Sequence, residues 1–226
     1  MGRSGHARGQ SDRGGPAGKS RLSGVKLRPV STVEALADAL RTRILSGDVA
    51  PGTQFPEQEI SATYGVARPT VREAIAALVH EGILRRERNK SAYVPDFTRD
   101  DLDDLLYVRR PLEDLVGAAV AGRRIEEARR ALDTMAALPD DAPWAGIVAQ
   151  HMALHEALAR AAGSPRLLRL YLSLSAETRL GVVRLREAYP DRDEMVTEHR
   201  ELLERLEAGT PQAAAKAARD HLVWRI

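Results

Sequence analysis

The chain has no cysteine among its 226 residues, which excludes both disulfides and thiolate metal sites. No apolar run reaches the ~20 residues that a membrane-spanning helix needs, and the first thirty residues lack the hydrophobic segment of a signal peptide. The expectation is a soluble, cytoplasmic protein with no membrane partner. No heptad repeat marks a coiled coil, and no paired carboxylates or nucleophile constellation accompany the histidines, which argues against an enzyme. The length allows two modest domains, each with its own core.

Acidic residues are nearly missing from residues 1–31, where Asp12 stands alone against Arg3, Arg8, Arg13, Lys19, Arg21, Lys26 and Arg28. The whole chain carries +2, so the remainder carries −4. A stretch rich in Gly, Ser and Arg with few large apolar residues predicts a disordered basic tail. It acts either as a solubilising extension or as an arm adding weak, salt-sensitive affinity for nucleic acid.

Order is expected from Ser31 or Thr32, which can cap a helix carrying Val33, Leu36, Leu40 and Ile44 at helical spacing. Ser46-Gly47-Asp48 ends it and Pro51-Gly52 marks a turn. A second helix from about Pro56 to Tyr64 ends at Gly65, a residue suited to a left-handed C-terminal position. A third begins in VARPTVREA with Pro69 in its first turn and runs to Glu81-Gly82. Two helices joined by a short turn containing Gly predict a helix-turn-helix. Val71, Ile75 and Leu78 make its buried stripe, leaving Arg68, Thr70 and Arg72 at the exposed N-terminal end, where a recognition helix meets base edges. Arginine can donate two hydrogen bonds to guanine, and Thr70 with the helix N-terminus can hold phosphate. The plainer alternative is a solvated face in which Glu57, Glu59 and Glu73 pair with the arginines. After Gly82, two short strands, Ile83 to Arg86 and Ser91 to Val94, around Arg88-Asn89-Lys90 predict a basic wing.

The segment FPEQEISATYGVARPTVREAIAALVHEGILRRERNKSAYV resembles the winged helix-turn-helix of the GntR superfamily of bacterial transcription regulators. The resemblance spans roughly residues 32–97 and is most specific in GV-x-R-x-x-VREA followed by L-x-x-EG. It implies that Arg68 and Arg72 read bases and that Thr70, Asn89 and Lys90 contact backbone or minor groove. Gln58 stands where the family often has a DNA-contacting Arg, Ala67 replaces a capping Ser or Thr, and Ser91 replaces the usual wing-tip Gly. Operator sequence and affinity therefore do not transfer from relatives.

From Thr98 onward the pattern is entirely helical. Thr98 and Asp101 suggest a capping box, opening a helix with Leu102, Leu105, Arg109, Leu112 and Val116 on one stripe. Pro111 is expected to kink or break it. Further helices are expected at about Ile125–Leu138, Trp144–Ala162, Pro165–Ala188, Asp193–Ala208 and Pro211–Arg225, giving a six-helix bundle. The predicted fold is thus mainly α, with a winged helix-turn-helix of three helices and a two-stranded wing over 32–97 and an all-α six-helix bundle over 98–226.

His151 and His155 lie four apart on one apolar face, and His199 and His221 fall on the apolar stripes of two later helices. Four separately buried imidazoles would each need a hydrogen-bond partner, whereas one shared cation satisfies a nitrogen on all of them. For any one histidine a satisfied core position is the plainer reading. Four of the six histidines occupying inward positions favours a metal site. Arg109 is a further polar residue on an apolar stripe, suited either to bidentate recognition of a carboxylate or to an ion pair with Glu113 one turn on.

YVRRPLED, HMALHEALARAAGSPRL, EHRELL and the late His-Leu make residues 101–226 similar to the FCD effector-binding domain of one GntR subfamily. The resemblance implies a metal held by an Asp and three His. His155, His199 and His221 match the three histidines, His151 stands in the place of the Asp, and Arg109 helps to bind the effector. Imidazole in place of carboxylate shifts preference toward zinc or nickel. The expected function is a homodimeric regulator, a repressor, on palindromic double-stranded DNA, controlled by a small carboxylate effector at a divalent metal ion. The alternatives are a regulator whose effector is the cation itself and, further off, a metal-dependent enzyme.

Overall fold

In a computed structural model the described residues are 31–184 and 191–222. Residues 1–30 of the basic tail and the ends expected for the helices reaching Ala188 and Arg225 therefore lie outside the described residues.

Helix α1 (Thr32–Leu45) buries Leu36, Leu40 and Ile44, the residues its spacing places on one face. Helix α2 (Glu57–Tyr64) stops at Gly65, whose φ of 65° is left-handed; the chain then re-enters a helix three residues later. That helix, α3 (Arg68–His80), has Ala67 at its N-cap with no side-chain cap, Pro69 in its first turn, and Val71, Ala74, Ile75 and Leu78 buried.

The wing differs from its expectation. Strand β1 (Gln54–Phe55) pairs antiparallel with β2 (Ala92–Tyr93), while the expected strand Ile83–Arg86 contributes a single bridge, Arg85 to Tyr93. Ile83 and Leu84 are instead buried in the core of the module. Burial of both neighbours is incompatible with the alternation of an extended strand lying on one face. Asn89 supplies the turn with φ 62°, a conformation that Asn adopts more readily than most residues.

Helix α4 (Arg99–Val120) opens on the expected capping box: the Thr98 side chain accepts from the Asp101 amide, and the Asp101 carboxylate accepts from the Thr98 amide. It runs unbroken through Pro111, contrary to the expected break. Pro111 and Tyr107, whose carbonyl loses its partner, lie on the exposed face where water can replace the missing bond. Helices α5 (Glu126–Ala136), α6 (Trp144–Ala161), α7 (Pro165–Arg184), α8 (Arg192–Ala208) and α9 (Pro211–His221) complete the bundle. The last ends at His221, so Leu222, expected to be helical, is not.

Helix α9 packs closely on α4 because Gly117 allows it. A Cβ built at Gly117 would lie 2.5 Å from the Ala214 carbonyl oxygen, closer than any side chain can sit. Arg219 fixes the same pair of helices by two 2.9 Å contacts to Asp114. Leu102 of α4 and Leu180 of α7 are buried in one cluster with Leu40, Ile75, Ile83 and Val94 of the winged helix. The Arg184 guanidinium also donates to the Val49 carbonyl. The bundle thus contributes to the core of the DNA-binding module.

Candidate metal centre and DNA-contacting face

The four inward histidines converge. Helix α6 supplies His151 and His155, α8 supplies His199 and α9 supplies His221, and one ligand atom from each lies within 4.8 Å of the others. His199 is at the centre. Its Nδ1 lies 2.7 Å from the Met195 carbonyl oxygen, to which it donates one helical turn back, so its Nε2 carries a lone pair. That Nε2 lies 3.1 Å from His155 Nε2 and 3.0 Å from His221 Nε2. A tetrahedral zinc site with bonds of about 2.0–2.1 Å has nitrogen–nitrogen edges of roughly 3.3–3.4 Å. Those two edges are within a few tenths of an ångström of that requirement, while the full set of four, spread over as much as 4.8 Å, would have to draw in to meet it.

The electrostatics suit a cation as well. Burial, above all, pushes every imidazole well below its ordinary range, His199 to about 4. Neighbouring imidazoles add to the effect for His151, His155 and His221, and Arg109 adds to it for the two residues of α6. All four are therefore neutral at physiological pH, with lone pairs that no proton competes for. The His155 Nδ1 is buried without a hydrogen-bond partner, an arrangement that costs free energy unless the ring is used for something. The donor set thus fits a divalent metal. His221 is the one partly exposed member, and it lines a cleft of about 280 Å³ together with Glu198, Glu201, Arg205 and Asp220.

Beside the histidines lies a second buried polar group. Arg109 and Glu113, 4% and 2% exposed, form an ion pair at 2.7 Å within α4, and both bond the Tyr171 hydroxyl from α7 at 2.7 and 2.8 Å. The expected ion pair of Arg109 with Glu113 is thus present. Burial pushes the Tyr171 phenol well above its ordinary range, reinforced by the Glu113 carboxylate. Tyr171 was not singled out by sequence; a tyrosine four residues after Leu167 on a buried stripe was the available signal, since a buried hydroxyl needs a partner. Elsewhere on α7, Arg184 reaches the DNA-binding module and Arg179 is half-buried with an unpartnered Nε.

In the helix-turn-helix Arg68 and Arg72 are exposed at the start of α3, with Thr70 partly buried between them. Arg72 Nε donates to Glu57 at 2.8 Å, and Arg86 approaches the same carboxylate at 3.4 Å. The plainer alternative is realised to this extent. An exposed ion pair is worth about 0–1 kcal/mol, so it is readily exchanged. Asn89 and Lys90 are exposed at the wing tip, Lys90 paired with Glu87 at 2.6 Å. The base of the wing is tied to the bundle by Arg85, which donates to Asp101 at 2.7 Å and, with the Thr98 cap, lowers that carboxyl to about 2.

Comparison with known proteins agrees with this division. The model of the bacterial regulatory proteins, gntR family, matches residues 32–94, and that of the FCD domain matches residues 104–223. The chain belongs to the GntR family and carries an FCD domain. It is a DNA-binding transcription regulator and not an enzyme. It is 25% identical to a D-xylose utilization operon transcriptional repressor of Paenarthrobacter nicotinovorans over 87% of this chain and 88% of that protein. The gluconate operon transcriptional repressor of Bacillus licheniformis is 26% identical over 76% of this chain and 74% of its own length. Among solved structures, a GntR transcriptional regulator of Rhodococcus sp. RHA1 superposes with a TM-score of 0.73 at 27% identity, covering 84% of this chain and 93% of that one. No helix among the described residues is long and apolar enough to cross a membrane.

Proposed function

We propose that this GntR regulator is a cytoplasmic repressor whose hold on a palindromic operator is controlled by a small carboxylate bound at a divalent metal in the bundle. The single observation that carries the reading is the meeting of four neutral imidazoles from three helices in one buried cluster. His151, His155, His199 and His221 hold the cation, zinc or nickel by the preference of an all-nitrogen set. The cation would supply positive charge and, by taking a ligand beyond the four imidazoles, a place for an anion, and Arg109 would orient the carboxylate. Residues 32–97 form the DNA-binding module, with Arg68 and Arg72 on bases and Thr70, Asn89 and Lys90 on backbone or minor groove; residues 98–226 bind effector and dimerise; residues 1–31 are a basic tail. Homodimerisation is supported by large apolar side chains left more than half exposed, Tyr107 and Leu115 on α4 and Leu170 on α7. Two-fold symmetry matches the two half-sites of a palindrome.

The test is metal content of protein purified without a histidine tag, beside His155→Ala and His199→Ala. Near-stoichiometric zinc or nickel in the wild type, lost in both variants, is the expected result; a metal-free wild type after reconstitution rejects the centre. One observation favours a second reading, in which the cation alone is the effector: Arg109 already has an internal carboxylate, Glu113. On that reading operator affinity changes with metal alone and does not respond to added carboxylates. The preferred reading requires the response to both.

A further inference from the structure

The donor set described above contains no charge. Among the described residues the ligand atoms that meet are four imidazoles and no carboxylate oxygen, and a histidine binds a metal as the neutral ring. The nearby charges cancel, since Arg109 and Glu113 form one buried ion pair. Outside, the cleft at His221 has carboxylates at Glu198, Glu201 and Asp220, but Arg205 stands among them and Asp220 is taken up by Lys216. Glu201, Arg205 and Asp220 are exposed and Glu198 is partly so, and screening by solvent weakens the effect of such groups on the interior. The interior around the cluster is apolar: Val148, Leu154, Leu158, Met195, Val196, Leu202 and Leu203 are all buried. A dication seated here would keep its two positive charges in a low-dielectric setting, which is unfavourable without a counter-charge.

We infer that this centre takes up a metal and an exogenous anion as a coupled pair, and that His151, the neutral residue at the fourth corner, makes the anion a requirement for tight metal binding. The inference rests on the metal reading given under Proposed function and deepens it. By linkage, an anion that tightens metal binding is itself bound more tightly by the same factor when metal is present. The chemical class of the anion follows from the neighbourhood: a small monoanion able to offer an oxygen to the metal and to sit beside Arg109. An internal carboxylate at position 151 would supply the counter-charge permanently and weaken the coupling. An uncharged amide there would not.

The experiment uses metal-free full-length protein titrated with Co(II), in sodium acetate and in non-coordinating sodium perchlorate at matched ionic strength, with free metal corrected for its own acetate binding. Visible absorption of Co(II) reports its coordination, and competition with a chromophoric chelator gives the affinity. In the wild type, acetate is expected to tighten Co(II) binding by roughly 5- to 150-fold, the usual span of coupling between two sites, and to change the Co(II) spectrum. In His151→Asp the effect shrinks to less than about threefold, whereas His151→Asn keeps the wild-type response. Co(II) bound equally well in both salts by the wild type overturns the inference while leaving a metal centre in place. Equal tightening in wild type and His151→Asp overturns the role of His151. A wild type that binds Co(II) in neither salt overturns the metal centre and the inference together. The wild-type comparison needs no variant, and thermal melts of both variants establish that they fold.

Discussion

The DNA-contacting face and the histidine cluster are built on opposite principles. The first takes its residues from one helix start and one turn, leaves all but the partly buried Thr70 exposed, and holds Arg72 and Lys90 by surface ion pairs with Glu57 and Glu87. The second takes its residues from three helices, buries them, and relies on neutral rings and one fixed backbone contact, His199 to Met195. Exposed cations can change partners at little cost, which suits the proposed role of sliding along phosphate before reading bases. A buried cluster cannot rearrange cheaply, which suits the proposed role of reporting whether the centre is filled.

The contrast is broken most severely at the polar group beside the cluster. Glu113→Gln leaves Arg109 charged and buried without its counter-charge, and is expected to cost about 3–5 kcal/mol of stability in urea unfolding. A loss below 1 kcal/mol would mean that the ion pair is not buried in solution. Next in size is the pH response of metal-free protein. His199 titrates near 6.5 when unfolded and at about 4 when folded, so the unfolded chain binds protons first. Stability is full above pH 6.5, falls as pH drops from there toward 4, and loses on the order of 3 kcal/mol from this residue alone. Unfolding midpoints between pH 7.5 and 5, above the range of most carboxylates, isolate the histidines; a flat profile contradicts their burial as neutral rings.

At the DNA face the effects are smaller. Arg72→Ala should weaken a cognate operator by about 1–3 kcal/mol and relax preference at one base pair, with metal content unchanged. A uniform loss across sequences would move Arg72 from base to phosphate contact. Smallest of all, Glu57→Gln releases Arg72 and should shift operator affinity by less than about 1 kcal/mol, toward tighter binding. A tenfold weakening would show instead that Glu57 presents the arginine to DNA.

Much of this was legible in the chain because it is written in short-range terms. Helical spacing places Val71, Ile75 and Leu78 inward and Arg68 and Arg72 outward, Gly65 ends α2, and Thr98 with Asp101 opens α4. The same periodicity turns each histidine toward the interior. Periodicity has no information about which helices meet, so the focal place of His199, the Tyr171 hydroxyl from α7 and the close approach at Gly117 emerge only from packing. The pairing of Gln54–Phe55 with Ala92–Tyr93 was illegible for a different reason: two residues do not make a period. Pro111 misled because its effect depends on exposure, and its carbonyl partner faces water.

One packing detail constrains how such a protein can be rearranged in evolution. Leu102 and Leu180, 1% and 0% exposed, belong to the sensory half by chain position and to the reading half by burial. Exchange of sensory halves between relatives is therefore not a cut at a linker. A hybrid keeps a filled core only if the incoming half brings a side chain of matching volume at both places, so shuffling favours partners that already share those two contacts. Drift in one half is heritable only alongside compensation in the other.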